Sequence, residues 1–376
     1  MKKSYYLLLF TISFGFAQIP AGYYDTATGT GYALKTQLKT IITNGHVDKG
    51  YGSGSSQTNN GLWSAYGTTD RDNGIGYEND NTIVDIYSEN PTGTDPYNYN
   101  FNSNQCGSYS VEGNCYNREH LIPQSYFGST GIMRNDVQHI YPTDGKVNAI
   151  HNDFAFGRVD VASYTSLNGS KLGSALNSGY SAGFTGTVFE PIDEFKGDVA
   201  RVYLYFATRY EDQMPTFYTS FTTPDCRVMF NGTANQVFSQ PFLNILLTWN
   251  NQDPVSTKEV VRNNAAYNHQ GNRNPYIDNN SYVASIWGAP LSTDNYDFLV
   301  KSFVYPNPTN DHKITIESST DIDNIQLVNI NGQLMMEIKK PSFDNHTFSI
   351  DNLQQGFYFL KLSSDNQSVT KKVIVN

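Results

Sequence analysis

The chain has 376 residues, too many for one typical domain and enough for a large core with a smaller second module. Its net charge of −10 excludes a generally basic, nucleic-acid-coating surface. Any handling of phosphates must therefore rest on uneven charge placement or on a bound cation.

The chain opens on Lys2 and Lys3, an apolar run from Tyr5 to Phe16, and small residues at Gly15 and Ala17 before Gln18. That order reads as a secretory signal peptide over residues 1–17, cut after Ala17. The run is well short of the roughly 20 apolar residues that a membrane anchor needs, and no later stretch is long enough to span. Export permits disulfides, so Cys106 and Cys115, which flank a glycine- and serine-containing loop, are expected to pair. Cys226 is left as either a buried small hydrophobe or a free thiol.

From Ala21 to about Gly288 the chain is rich in Tyr, Asn and Gly, and the first module is placed at residues 18–290. Helices are expected at Tyr32–Ile42, Asp198–Tyr210, Pro241–Asn251 and Ser256–Asn268. In the second, Val199, Val202, Tyr203, Phe206 and Tyr210 recur at helical spacing, which suits a helix packed on one face. In the last, Ser256 is the N-cap and Glu259 its capping-box partner. The segment Asp70–Asn104 reads as loop with one strand candidate, Thr82–Tyr87.

The densest chemistry lies between Cys115 and Arg158. Arg118-Glu119-His120 is expected on a strand that opens a hairpin, with Lys146–Asp153 returning over it as a helix, so that Glu119, His120 and Asn148 meet. Phosphodiester hydrolysis needs a water deprotonated near neutral pH, a task suited to an imidazole, here His120. It also needs a cation on the phosphate oxygens, and one carboxylate with one amide oxygen, Glu119 and Asn148, can hold Mg²⁺ with waters; Mn²⁺ or Ca²⁺ are alternatives. A neighbouring arginine would neutralise transition-state charge. Taken alone, the same residues also fit an ordinary structural pair and a helix cap, and His139, between Val137 and Tyr141, fits a core histidine.

The stretches NREHLIPQSYFG and DVQHIYPTDGKVN, with GDVARVYLYFATRY, WNNQDPV and RNNAAYNHQGNRNPYID downstream, resemble the bacterial endonuclease I family over most of residues 20–290. The resemblance implies an α+β nuclease domain containing a ββα-metal (His-Me finger) motif. It places His120 on the general base and Glu119 and Asn148 on the metal positions, with one cation per site. It further implies cleavage of DNA and also RNA with little sequence specificity, leaving 5′-phosphates. For the transition-state arginine Arg134 is favoured, with Arg118 and Arg273 as alternatives, and His139 is assigned to a supporting or substrate-side role. The sequence departs from the family at Gln138, where a first histidine is common, and at His151-Asn152-Asp153, where Arg-Ser-Asn is common. The latter is expected to strip positive charge from the nucleic-acid path.

Residues 291–302 read as a linker. The remainder, 303–376, is a series of short strands: Lys313–Glu317, Ile325–Asn329, Gln333–Ile338, His346–Ile350, Gly356–Leu362 and Lys371–Val375, with Asn331-Gly332 as a hairpin turn. These suggest a small all-β sandwich. VYPNPTND, NINGQ, GFYFLKL and the KKVIVN end resemble the sorting domain of type IX secretion. That implies passage through the periplasm to the surface or the medium, with the secretion machinery as partner and no stable protein partner besides. Two competing functions are a non-catalytic adhesin or glycan binder on a nuclease scaffold and a phosphodiesterase of smaller substrates.

Overall fold

The computed structural model describes residues 19–53, 61–74, 77–128, 131–220, 224–288, 302–318, 322–330, 332–364 and 367–376. The signal-peptide segment, the linker up to residue 301 and Asn331 lie outside the described residues. Contacts divide the chain into two units, residues 1–291 and 292–376.

The first unit runs α1 (Gly31–Thr43), α2 (Gly61–Thr69), β1 (Tyr116–His120), α3 (Gln124–Phe127), β2 (Ile140–Asp144), α4 (Gly145–His151), β3 (Ala155–Phe156), β4 (Val159–Thr165), β5 (Lys171–Ala175) and β6 (Thr187–Glu190). It continues through α5 (Lys196–Arg209), α6 (Met214–Ser220), α7 (Pro224–Arg227), α8 (Gln240–Gln252), α9 (Thr257–Gln270), α10 (Pro275–Asp278) and α11 (Ser281–Trp287). The four helices expected from periodicity are α1, α5, α8 and α9. Ser256 caps α9 and Glu259 completes the reciprocal capping box, as the spacing implies.

α5 departs from the expectation of one buried face: every residue from Gly197 to Arg209 is buried. Polar residues that would mark a solvent face are paired instead. Arg201 donates from Nε and Nη2 to the two oxygens of Glu259, at 2.5 and 2.7 Å, and also reaches Asn250 and the Asp253 carbonyl. α5 is thus the axis of the core, packed by α1 and α8. A buried helix with polar residues is stable when each finds a partner.

β1 and β2 are antiparallel, with Glu119 opposite Tyr141 and His120 opposite Ile140, and α4 packs against both. Asp144 starts α4 by accepting the Lys146 and Val147 amides on Oδ1, each at 2.8 Å, while Oδ2 takes the Tyr99 hydroxyl and the Gly113 amide. The Cys106–Cys115 disulfide closes a loop against this start. A Cβ on Gly145 would stand 2.8 Å from Cys106 Sγ and 2.8 Å from the Gly107 carbonyl, so the first residue of α4 can only be glycine without a backbone shift. Cys226 is buried, the hydrophobe alternative.

Thr82–Tyr87 is not a strand: only an isolated bridge, Arg71 to Ile83, forms there. The segment is nonetheless buried, because Asp85 anchors it as a turn. Its Oδ1 accepts the Tyr87 amide and its Oδ2 the Asp144 amide, both at 2.8 Å. A second sheet in the order β3-β6-β5-β4 completes the unit.

The second unit holds β7 (Ser302–Tyr305), β8 (Ile314–Ser318), β9 (Asn324–Asn329), β10 (Leu334–Lys339), β11 (Thr347–Ile350), β12 (Gly356–Ser364) and β13 (Gln367–Val375). They form two antiparallel sheets, β10-β9-β12-β13 and β11-β8-β7. Alternate residues from both sheets, Ile314 and Ile316, Ile325 and Leu327, Leu360 and Leu362, Val373 and Val375, share one core. That period-two pattern from two facing sheets is a sandwich.

Candidate active site

Glu119 and His120 are consecutive on β1 and nearly buried, at 4% and 6% exposure. Glu119 is held from two sides through one oxygen. The Tyr87 hydroxyl donates to Oε1 at 2.9 Å, and His151 Nδ1, from the last residue of α4, stands 2.5 Å from the same atom. His151 is itself fixed by Nε2 donating to the Phe154 carbonyl at 3.0 Å. Oε2 has no hydrogen-bond partner among the described residues. Asn148 lies one turn before His151 on α4, half-buried, and its side chain makes no hydrogen bond to a described residue. It does not cap α4, since Asp144 does. One free carboxylate oxygen and one free amide are hard donors of the kind a Mg²⁺ with several waters accepts.

His120 donates from Nε2 to the Arg134 carbonyl at 3.1 Å, which fixes the neutral tautomer with Nδ1 as the acceptor. Burial first, and then the neighbouring His139, Arg118 and Arg134, hold its pKa well below the usual histidine range. The ring is consequently neutral at physiological pH and able to take a proton. His139 packs edge-on to His120, with ring centroids 5.8 Å apart, and is fully buried against Phe206. Its Nε2 meets the Met133 carbonyl at 2.6 Å, so the two histidines grip consecutive carbonyls of one 3-10 turn, Ile132–Arg134. Burial pushes the His139 pKa down to about 4.

That grip brings Arg134 beside the site. Its guanidinium carbon lies 4.0 Å from the Tyr51 ring centre, and that of Arg118 lies 3.6 Å from the same ring. Arg118 also donates to the Tyr51 and Gly52 carbonyls, each at 2.9 Å. Neither arginine forms an ion pair among the described residues, and the Nε of each is buried without a partner. Arg273 is placed otherwise. It is 1% exposed and tied to both oxygens of Asp278, at 2.6 and 2.7 Å, and to Asn264.

The two departures from the family pattern are both internal. Gln138 is buried and donates to Asn263 Oδ1 and the Asn272 carbonyl, tying the turn before β2 to α9 and the loop after it. His151 is fully buried against Glu119, so in this chain the position supports that carboxylate. Tyr87 and the Arg134 carbonyl are the site elements that the sequence did not disclose. Tyr87 lies in a turn with no periodic signal, and a carbonyl carries no residue-type signal at all.

Comparison with known proteins gives a concordant result. The Endonuclease I family model matches residues 30–281, and the secretion-system C-terminal sorting domain model matches residues 303–376. An extracellular ribonuclease of Bacillus amyloliquefaciens is 33% identical over 271 residues, covering 70% of this chain and 78% of its own length. An extracellular ribonuclease of Bacillus subtilis is 30% identical with the same coverage. Endonuclease-1 of Buchnera aphidicola is 24% identical over 197 residues, covering 46% of this chain and 67% of its own length.

Proposed function

The chain belongs to the Endonuclease I family and ends in a type IX sorting domain, which makes it a secreted nuclease, and from that premise we propose how and on what it acts. It is an endonuclease that hydrolyses phosphodiester bonds of DNA and RNA with little sequence specificity, leaving 5′-phosphates. Two of the three relatives are named ribonucleases, which supports RNA beside DNA. One Mg²⁺, with Mn²⁺ or Ca²⁺ as substitutes, is held by Glu119 and Asn148, and residues 18–290 form the nuclease domain.

The observation that carries this reading is the division of labour at the end of β1: one carboxylate oxygen of Glu119 and one ring nitrogen of His120 are committed to the protein, and one of each is left free. His120 Nδ1 accepts a proton from water as the water oxygen bonds to phosphorus and the bond to the 3′ oxygen breaks, and that oxygen takes a proton from solvent to leave as a hydroxyl. A divalent cation held by Glu119 and Asn148 would supply positive charge against the charge that develops on the phosphate. Arg134 is the arginine proposed to oppose the charge of the pentacovalent phosphate, a role supported by its lying over Tyr51 with no ion pair among the described residues; Arg118 buttresses the same ring, and Arg273 acts as a structural ion pair.

The adhesin reading rested on Gln138, His151 and the acidic net charge, and the first two are internal structural side chains. The test is incubation of the full chain with supercoiled plasmid and with single-stranded RNA, with and without Mg²⁺, beside Glu119→Ala. Metal-dependent cleavage absent from the variant is expected. A folded wild type that is inert with Mg²⁺, Mn²⁺ and Ca²⁺ contradicts the proposal.

A further inference from the structure

Away from Glu119 and Asn148, three carboxylates converge in the long segment between α2 and β1. Glu78, Glu89 and Asp95 each offer an oxygen, and these oxygens all lie within 4.8 Å of one another. None is paired with a lysine or arginine among the described residues. Lys258, on α9, is committed to Asp72 at 2.6 Å, and Arg71, on this segment, donates to the Asn81 carbonyl.

The middle member sets this group apart from an ordinary acidic surface. Glu89 is 1% exposed, and its Oε1 is buried with no hydrogen-bond partner. A buried carboxylate oxygen without a donor is costly, and two further carboxylates at its side raise that cost. Burial, then Asp95 and Glu78, push the Glu89 pKa up to about 9.

The surrounding backbone holds Glu89 and Asp95 in place. The Glu89 amide donates to the Asp85 carbonyl at 2.8 Å, and Asn168 donates to the Ile86 and Glu89 carbonyls. The Asn90 amide donates to Asp95 Oδ1 at 2.7 Å, folding residues 90–95 back so that Asp95 returns beside Glu89. Oδ2 of Asp95 and Oε1 of Glu89 have no partner of this kind.

We infer that Glu78, Glu89 and Asp95 form a second divalent-cation site, suited to Ca²⁺, that fastens the segment between α2 and β1. Oxygens on opposite sides of a Ca²⁺ stand about 5 Å apart, and its flexible coordination admits water on the exposed Glu78 side. Mg²⁺ gives up its waters reluctantly and is usually held by one or two carboxylates, so a group of three favours Ca²⁺. The site lies two residues beyond Tyr87 and four beyond Asp85, the side chains that brace Glu119 and the start of α4. Its role is therefore structural support of the nuclease site rather than chemistry.

The test uses the full chain carrying Glu119→Ala and Asn148→Ala, which blanks the cation position proposed for hydrolysis. After metal stripping, CaCl₂ and MgCl₂ are titrated separately by calorimetry, and thermal unfolding is followed with and without each. One Ca²⁺ per chain is expected to bind and raise the Tm, with Mg²⁺ weaker. Adding Glu89→Gln should weaken Ca²⁺ by about tenfold or more while raising the Tm of the stripped protein, because a neutral amide removes the cost of burying a carboxyl that is ionised in the unfolded chain. Glu78→Gln, on the exposed member, should weaken Ca²⁺ to a similar degree. If the blanked background does not fold, Glu78→Gln in the otherwise native chain should lower the bound Ca²⁺ from two to one. A folded background that takes up no Ca²⁺, prefers Mg²⁺, or binds Ca²⁺ unchanged in both variants overturns the inference.

Discussion

At the scale of single residues, the site depends on which atoms are already spoken for. Glu119 and His120 are each held by one atom and free at the other, and the holders are Tyr87, His151 and a backbone carbonyl. His151 then becomes a positioning residue. Replacing it with leucine keeps the bulk but removes one of two contacts on Oε1, and should weaken Mg²⁺ affinity by roughly 10–100-fold, measured by calorimetric titration. His139 makes a pH prediction. Its pKa is depressed by burial to about 4, so the native state binds fewer protons than the unfolded chain between that value and the ordinary 6.5. Its contribution is fully present above about pH 6.5 and lost as pH falls toward 4, at about 1.4 kcal/mol per pH unit. The Tm of His139→Phe should consequently fall less than that of the wild type between pH 7 and pH 5.

At the scale of elements, what could be read from sequence was whatever repeats at a fixed period or caps in a fixed pattern. The four long helices and the tail strands are of this kind, and the capping box of α9 is seen as expected. The ββα order of β1, β2 and α4 was legible because Glu119, His120 and Asn148 sit on short runs of clear type. β4 was not legible: its seven residues are mostly exposed and lack the alternation of a half-buried strand. The Asp85 turn escaped notice because hydrogen bonds from one aspartate, rather than apolar periodicity, bury it. Glu259 links helix cap and core, since its Oε2 takes the Ser256 amide while both oxygens take Arg201. Glu259→Ala should cost about 3 kcal/mol in denaturant unfolding, because the buried Arg201 guanidinium loses its two-oxygen partner and keeps only the 3.3 Å contact to Asp198 as an ion pair.

At the scale of the whole molecule, the acidic net charge and a nuclease function are compatible, because Arg118 and Arg134 near His120 form no ion pair among the described residues while Arg201, Arg262 and Arg273 are neutralised inside. The two units divide the work, chemistry in the first and export in the second. Removing residues 303–376 should leave nuclease activity in a cell lysate within about twofold, since none of the proposed site residues lies there, while abolishing activity in the medium. The central claim is that His120 is the base. Its most direct test is the Mg²⁺-dependent kcat/KM for plasmid cleavage by the full chain and by His120→Ala, with folding checked by Tm. The predicted result is a loss of about 10²–10⁴-fold with Mg²⁺ binding retained, whereas a folded variant of undiminished activity would contradict it.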